Sequence, residues 1–564
     1  MTEKIKDYFK NLTIYDILYI VGFLLILIVY FYKVPLEIQG DDESFYLMMP
    51  KRLTDGDIFI VDEWHGSQFA GFLSYPFMAL HRMILGTDSI VLHFRFFYVF
   101  LQSVSALVIY FRLREYKLFG VFAALFFYIF TPYDITSPSY NALGVMLVAV
   151  SGTLLGTAKS KKSLFAGGFL YAGAVLCCPY LAVAYLIYSI GALIYALKKH
   201  DKTICGKWLA ATIGIAVMAA LFVVLMLSRA SITEIKNAIP DLFTDPEHQS
   251  KQLLPTIISY FQVIQNHFFY GSVLFTIYLV IVAEALIDKK RCEHKIFYIL
   301  VASAISSLMT ASCLPTVILY KYNSIMFPLS LVGLVSFLVT KNRNYKIFAF
   351  TFLGGIIYSM VIHFSSNQHI YAITMASTAA NVGSIAMLGI ALSELDRKKP
   401  VHKYFCAVMI LMILVQLGLM TDVKIYHKFA SHSKNSELTQ TIQTGPYKGI
   451  KVTPATEQIY MSDYETLKLL MNKEGKVLYA TDIIWFYLAT PELKTGAYSG
   501  WLSGYNDSTI SRLNLYYGKY PDKLPDYIYI PNRHRWNIEL FKKEILDRYG
   551  FKLISNDGAM IYGR

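Results

Sequence analysis

The stretch IYDILYIVGFLLILIVYFYKVPLEIQGDDESFY, residues 14–46, joins an apolar run to three consecutive acids, Asp41, Asp42 and Glu43. About 20 apolar residues cross roughly 30 Å of hydrocarbon, so residues 14–32 predict a transmembrane helix. Carboxylates are costly in or beside a bilayer and tend to be kept there for function. The acidic cluster is therefore the first place to look for chemistry.

The composition of the whole chain indicates a polytopic α-helical membrane protein. Of 564 residues, 55% are hydrophobic and 16% are charged, which is too apolar for a set of soluble domains. The net charge of +13 comes from Lys and Arg clusters between apolar runs, which leaves no basic patch for nucleic acid. The six cysteines lie in or beside apolar runs without CxxC spacing, so neither a disulfide framework nor a metal site is expected.

Thirteen apolar runs are predicted to cross the membrane. They are 14–32, 91–111, 117–133, 139–157, 163–178, 179–197, 206–228, 265–288, 296–312, 316–340, 347–363, 371–392 and 403–421. Lysines precede the first run and no cleavage site follows it, so we expect a retained anchor with the N-terminus inside. The connecting segments assigned to the inside are all basic, and the short ones assigned to the outside contain no Lys or Arg. An odd number of spans places the tail outside.

The same pattern divides the chain into a transmembrane domain, 1–421, and an extracytoplasmic tail domain, 422–564. The first outer loop, 33–90, carries the acidic cluster and an amphipathic segment, 68–85, that predicts an interfacial helix. A second outer loop, 229–256, is polar and is typical of a mobile gate. It contains Asp241, Asp245, Glu247 and His248.

In the tail the composition turns soluble. Segments 476–480 and 527–531 predict buried strands, 536–549 predicts an amphipathic helix, and 551–562 predicts a hairpin that turns at Asn556-Asp557-Gly558. Strands that alternate with helices indicate a small α/β domain. The tail has neither a Gly-rich phosphate loop nor a nucleophile elbow, so by itself it indicates a recognition or support domain.

Several of these features together resemble the GT-C glycosyltransferase superfamily, and within it the bacterial aminoarabinose lipid A transferase and protein O-mannosyltransferase group. They are Asp42-Glu43-x-x-Tyr46 at the start of the first outer loop, the juxtamembrane helix, Arg95 near the start of the second span, thirteen spans and an outer α/β tail. Related enzymes often carry His-Pro-Pro after the first-loop helix. This chain departs from that pattern, with Trp64-His65-Gly66-Ser67 in its place.

The resemblance implies a hexosyl- or pentosyltransferase in the cell (plasma) membrane. Such an enzyme moves a sugar from a polyprenyl-phosphate donor to a lipid, cell-envelope glycan or protein acceptor at the outer face, by an inverting single displacement. Membrane lipid is the other expected partner, and nucleic acid is not one. No cofactor is required; three adjacent acids could hold a divalent metal ion through oxygen ligands, but the motif does not demand one.

This chemistry needs a carboxylate that takes the proton from the acceptor hydroxyl as it attacks. Asp42 is the predicted general base, and Glu43 or Asp41 is expected to orient the acceptor. A second acidic group, expected to form the acceptor-side wall, consists of Asp62, Glu63 and His65. The competing interpretation is that these acids are solvated loop residues.

The phosphate that leaves needs positive charge at the outer headgroup level. The predicted topology places Arg95, Lys321 and His363 at one depth near the outer ends of their spans. Lys321 and Tyr322 belong to a segment ending at Pro328 that is similar to the Lys-x-x-x-Tyr/Pro-rich segment of the aminoarabinose transferase group, with the Tyr displaced. The competing interpretation is that Lys and Arg so near a helix end snorkel to water, and that His363 is structural.

A transporter or flippase of a lipid-linked or anionic solute is the alternative function. Secondary transporters usually place their polar site near the midplane on broken helices, often in two related halves. No internal repeat is detectable in this sequence, and the acids gather in an outer loop. A catalytically inactive scaffold or receptor with the same fold is the third hypothesis, because fold does not fix function.

Overall fold

The computed structural model describes residues 12–200, 202–244, 251–313, 319–426, 433–502, 507–532 and 537–564, with only the backbone of 202 and 319–322. The chain is mostly helical, and small sheets occur in its last 125 residues. The helices up to residue 426 are α1 (Ile14–Lys33), α2 (Gly40–Thr54), α3 (Gly71–Leu85), α4 (Ile90–Leu113), α5 (Leu118–Ile129), α6 (Tyr140–Gly156), α7 (Lys161–Cys177), α8 (Leu181–Lys199), α9 (Lys202–Leu227), α10 (Ile232–Ala238), α11 (Leu253–His267), α12 (Gly271–Ile287), α13 (Lys295–Cys313), α14 (Pro328–Val339), α15 (Leu353–Ser365), α16 (Ile370–Ser393) and α17 (Pro400–Tyr426).

Eight helices in the described ranges are long and apolar enough to cross a membrane. They are Ile14–Lys33, Ile90–Tyr116, Leu181–Lys199, Thr203–Leu227, Lys295–Cys313, Ile347–Ser365, Ile370–Ser393 and Pro400–Tyr426. A bent pair, α11 and α12, would make a ninth, and three further apolar helices are shorter. The chain is thus a multi-pass membrane protein by helix length and composition. Each of the thirteen predicted spans overlaps a helix, while the number of crossings and their direction stay predictions.

Two of the predicted spans are corrected by the structure. The run 265–288 is broken, because Tyr270 takes a left-handed backbone conformation with φ of 55° and α11 meets α12 at a bend of 116°. In its described part, 319–340, the run 316–340 becomes α-helical at Pro328, whose fixed φ suits the first position of a helix. Before it, Leu319–Met326 form a 3-10 helix.

The predicted gate, 229–256, has secondary structure in the part that the structure describes, and its role as a mobile gate stays a prediction. It contains α10 and a 3-10 helix, Ile239–Thr244. Asp241 is buried and forms an ion pair with Lys519 of the tail, with 2.7 Å between Nζ and Oδ2. This segment therefore contacts the tail. Asp245, Glu247 and His248 lie outside the described residues.

The tail contains an α/β unit. Its elements are β1 (Gln440–Thr441), β2 (Lys451–Val452), α18 (Pro454–Met471), β3 (Gly475–Tyr479), α19 (Phe486–Ala489), β4 (Leu493–Thr495), α20 (Ser508–Lys519), β5 (Tyr527–Pro531), α21 (Ile538–Phe541), β6 (Lys552–Ser555) and β7 (Ala559–Gly563). The larger sheet has the order β4-β3-β5-β7-β6, parallel across β4, β3 and β5 and antiparallel beyond. Both predicted strands and the hairpin are confirmed. The predicted helix is confirmed from residue 538, where α21 continues into a π-helical turn, Lys542–Asp547.

Helix α2 is held between the helical bundle and the tail. The connector between α1 and α2 pairs with β2: the Glu37 N–H donates to the Lys451 carbonyl at 2.8 Å. A hydrophobic cluster contains Phe45 and Met48 of α2 together with Tyr447 and Trp485 of the tail. The helix that carries the acidic cluster is therefore fixed from two sides.

Candidate functional site

The three acids expected in a loop occupy the first turn of α2 instead. Carboxylates are favoured there, because a helix N-terminus presents unpaired N–H groups and a partial positive charge. Successive residues on an α-helix point about 100° apart, since 3.6 residues complete a turn. Asp41, Asp42 and Glu43 therefore face three different environments, and the structure separates their roles.

Glu43 faces inward and is paired with Arg95 of α4. Arg95 Nε lies 2.7 Å from Glu43 Oε1, and Nη2 lies 2.7 Å from Oε2. The guanidinium also donates to the carbonyls of Val34, Leu36 and Glu37, at 2.8, 3.1 and 2.7 Å. Both charged side chains have no exposed surface. All five guanidinium N–H groups have partners within the protein, so Arg95 positions α2 and its connector in this structure, while its phosphate-binding role stays a prediction.

A second buried charge cluster supports the same connector. Asp134 accepts from Lys33 Nζ at 2.6 Å and from Lys424 Nζ at 3.1 Å. Two residues further on, the Thr136 N–H donates to Gln39 Oε1 at 2.7 Å, immediately before α2. Sequence analysis missed these residues. The available signal was that Lys33 and Lys424 lie at helix ends assigned to the outside, whereas positive charge next to a span is expected inside.

Asp42 is the acid of the cluster that is left available. It is partly buried, and within the described part of the chain its carboxylate makes no hydrogen bond or ion pair. Burial raises the pKa of Asp42 to about 6. It interacts electrostatically with Tyr140, the first residue of α6, and Tyr46, one turn along α2, packs edge-on to that ring at 5.9 Å. Such a carboxylate is suited to accept a proton near neutral pH.

Asp41 lies nearer to the tail. It is partly exposed and acts electrostatically on Tyr447, whose hydroxyl lies 2.6 Å from the Ser44 hydroxyl. Asp41 thus stands at the contact between α2 and the tail. This position is compatible with its predicted role of orienting an acceptor.

Asp62 and Glu63 are corrected from an acceptor-side wall to a junction with the tail. Arg52 Nη1 lies 2.9 Å from Glu63 Oε2, and Arg52 Nε lies 2.7 Å from Asp57 Oδ2. Asp62 pairs with Lys523 of the tail at 2.7 Å. These side chains are buried apart from Lys523, and burial raises the pKa of Glu63. The carboxylates therefore hold the first outer segment against the tail.

His65 does lie beside α2. The centroid of its ring is 4.7 Å from that of the Phe45 ring. The Trp501 ring packs edge-to-face against Phe45, with 5.7 Å between the centroids. His65 Nδ1 also lies 2.8 Å from the Ser67 hydroxyl. Phe45 follows Asp41 by one helical turn, so His65 and Trp501 stand near the acidic end of α2. Trp501 was not found from the sequence, since tail residues gave no motif.

The remaining predicted phosphate ligands lie in different parts of the fold. Lys321 and Tyr322 belong to the 3-10 helix before α14, and their side chains are outside the described part. The next residue, Asn323, accepts a hydrogen bond from the Tyr133 N–H at 3.2 Å. His363 Nε2 lies 2.9 Å from the Ser259 hydroxyl, which joins α15 to α11. His363 therefore has a structural contact.

A metal-binding arrangement of three or more His, Cys, Asp or Glu side chains does not occur within the described ranges. The acids of α2 diverge around the helix, and Glu43 is committed to Arg95. Asp41 and Asp42 remain the side chains of this cluster that could contact a cation through oxygen atoms.

No protein-family model matches this chain, and no curated protein matches it in sequence. The crystal structure of ArnT from Cupriavidus metallidurans bound to undecaprenyl phosphate is similar, with 11% sequence identity and a TM-score of 0.48. The similarity covers 96% of this chain and 97% of that chain.

Proposed function

We propose that this protein is a membrane glycosyltransferase of the GT-C type. It transfers a sugar from a polyprenyl-phosphate-linked donor to a lipid, glycan or protein acceptor at the outer face of the cell membrane. Residues 1–421 form the transmembrane domain, and residues 422–564 form an extracytoplasmic domain that supports α2. The observation that carries the proposal is the state of Asp42: partly buried, without a bonded partner among the described residues, and with a pKa raised to about 6.

Asp42 is the general base in this proposal. It takes the proton from the acceptor hydroxyl while the hydroxyl oxygen attacks the anomeric carbon of the donor sugar. The bond from that carbon to the phosphate oxygen breaks, and its electron pair leaves with the polyprenyl phosphate. The configuration at the anomeric carbon is inverted, because one displacement takes place. Glu43 does not touch the substrate; through Arg95 it fixes the direction in which Asp42 points.

The negative charge that grows on the leaving phosphate needs a positive environment. Lys321 and Tyr322 are the proposed contacts from the segment before α14. Lys33 and Lys424 share one carboxylate, so their buried cluster adds a net positive charge close to the connector of α2. Asp41 and His65 are the proposed acceptor-side residues, beside the aromatic contact of Phe45 and Trp501.

Lipid extracted with the purified protein tests this proposal. Mass spectrometry of the detergent-solubilised protein should show a polyprenyl phosphate or its sugar conjugate bound in stoichiometric amount. A preparation that sustains sugar transfer but retains no such lipid would overturn the choice of donor. A preparation that moves the lipid-linked sugar across a bilayer without breaking it would instead support the transporter alternative.

The proposed orientation gives a separate prediction. In a cysteine-free background, Gln368→Cys and Glu492→Cys should react with an impermeant thiol reagent on intact cells, and Lys162→Cys should react only after lysis. All three positions are exposed at the protein surface, so accessibility differs only by the side of the membrane. Labelling of Lys162→Cys on intact cells, with protection of Glu492→Cys, would reverse the assigned topology.

A further inference from the structure

A cavity of about 790 Å³ lies at the opposite end of α6 from Asp42. Tyr140, which interacts with Asp42, is the first residue of α6. The residues of α6 that line the cavity begin at Val148, and the lining continues past the C-terminal end of this helix. Because α6 has 17 residues, it is about 25 Å long. The end of the cavity lined by residues 158–161 therefore lies beyond the end of α6 that is remote from Asp42.

The cavity is basic at one end. Its lining there includes Lys159, Lys161, Lys207 and Lys346, and none of the described residues that line it is Asp or Glu. Lys159 Nζ lies 3.5 Å from Glu115 Oε2. Among the described residues, the other three lysines have no carboxylate within ion-pair distance. Several unneutralised ammonium groups at one mouth favour an anionic ligand.

The rest of the cavity is mainly apolar, although the side chains of Ser151, Tyr171, Tyr185 and Tyr188 also line it. Its walls come from α6, α7, α8, α9 and the π-helical segment Ile347–Phe352 with α15. Lining residues extend along α9 from Thr203 to Ile215, a distance of about 18 Å. The far part is lined by Leu181, Ile215 and Ile357, which have no polar side-chain atoms. A cationic mouth above a long apolar chamber matches an amphiphile with an anionic head and a hydrocarbon chain.

The neighbouring helix α8 lies between the cavity and the membrane lipid. Its apolar side chains Val183, Leu186, Ile187, Ile190 and Ile194 are exposed on the protein surface, as side chains that face lipid are. Ala184 and Ala192 of the same helix line the cavity. One helix therefore separates the chamber from the surface that contacts membrane lipid.

We infer that this cavity binds one anionic membrane phospholipid, with its phosphate among the four lysines and one acyl chain in the apolar chamber. The inference does not rest on the proposed glycosyl transfer. It assigns a lipid site that would fix α7, α8 and α9 against α6 from the far end of the bundle, away from the acids of α2.

Titration of the purified full-length protein with phosphatidylglycerol, followed by native mass spectrometry, tests this site. The triple variant Lys161→Ala/Lys207→Ala/Lys346→Ala should bind the first phosphatidylglycerol at least about tenfold more weakly than the wild type. The matched control Lys289→Ala/Lys290→Ala/Lys398→Ala removes the same charge from exposed positions that do not line the cavity, and should bind as the wild type does. Phosphatidylcholine should bind the wild type at least about tenfold more weakly than phosphatidylglycerol.

A second variant, Ala184→Trp, fills the chamber and removes no charge, so it should produce the same loss of phosphatidylglycerol. Undiminished binding in both the triple lysine variant and Ala184→Trp would overturn the site. Equal losses in the cavity triple and its control would also overturn it, because surface charge alone would then account for binding. If the triple lysine variant and Ala184→Trp lost bound polyprenyl phosphate but bound phosphatidylglycerol as the wild type does, the choice of phospholipid as occupant would be overturned.

Discussion

Asp42→Asn is expected to lower the rate of sugar transfer by roughly 10²–10⁴-fold, the usual contribution of general base catalysis. The amide keeps the shape of the carboxylate but cannot take the acceptor proton. Affinity for the lipid-linked donor should change little, because Asp42 is proposed to act in the transition state. Single-turnover transfer and donor binding, measured on one preparation, separate the two effects.

The pH dependence gives an independent signature of the same residue. Because the base must be ionised and the pKa of Asp42 is raised to about 6, kcat/KM should rise with pH through 6 and level off above it. The residual rate of Asp42→Asn should not show this rise. Asp41→Asn is the matched control, since Asp41 lies on another face of the same helical turn, and it should keep the pH profile of the wild type. A normal rate in Asp42→Asn would remove Asp42 from the mechanism.

Arg95→Met is expected to destabilise the protein by about 3–5 kcal/mol, because Glu43 would remain buried without its partner. Three backbone carbonyls of the connector would also lose their donor. Transfer activity should fall because less of the protein is folded and because α2 is no longer held in position. Thermal unfolding of the detergent-solubilised protein measures the first effect.

Two comparisons make this prediction specific. Replacing both partners, in Glu43→Leu/Arg95→Met, should restore much of the stability, because no unpaired charge is then buried. Lys448→Met removes one member of an exposed pair with Asp88, 3.8 Å apart, and should change stability by no more than about 1 kcal/mol. If Arg95→Met left the unfolding temperature unchanged and weakened donor binding alone, Arg95 would be a phosphate ligand and not a positioning residue.

The sequence predicted the parts of the fold that depend on local patterns. Apolar runs near 20 residues located the helices, and alternation with turn residues located β3, β5 and the final hairpin. It failed where a single residue or a tertiary contact decided the outcome. The left-handed Tyr270 divides one predicted span, and Pro328 delays the start of another helix. A tyrosine gives no sign of such a break, whereas a proline within an apolar run can begin or kink a helix, and the sequence pattern did not decide between the two.

The candidate site shows the same division. The sequence located the acidic cluster, because charge next to an apolar run is visible in one dimension. It did not distinguish Asp42 from Glu43, since their difference is a rotation of about 100° around α2 that turns Glu43 toward Arg95. It also assigned Asp62 and Glu63 to the site, whereas Arg52 and Lys523 bind them at the junction with the tail. Ion pairs between distant segments leave no local pattern.

The most direct test of the central claim is the fate of the bond between sugar and phosphate. Purified protein in liposomes, supplied with a polyprenyl-phosphate sugar labelled in the sugar, should release polyprenyl phosphate and transfer label to an acceptor in equal amounts. Asp42→Asn, folded and able to bind the donor, should release almost none in the same time. Intact lipid-linked sugar after full incubation with wild-type protein and a range of lipid, glycan and protein acceptors would contradict the account.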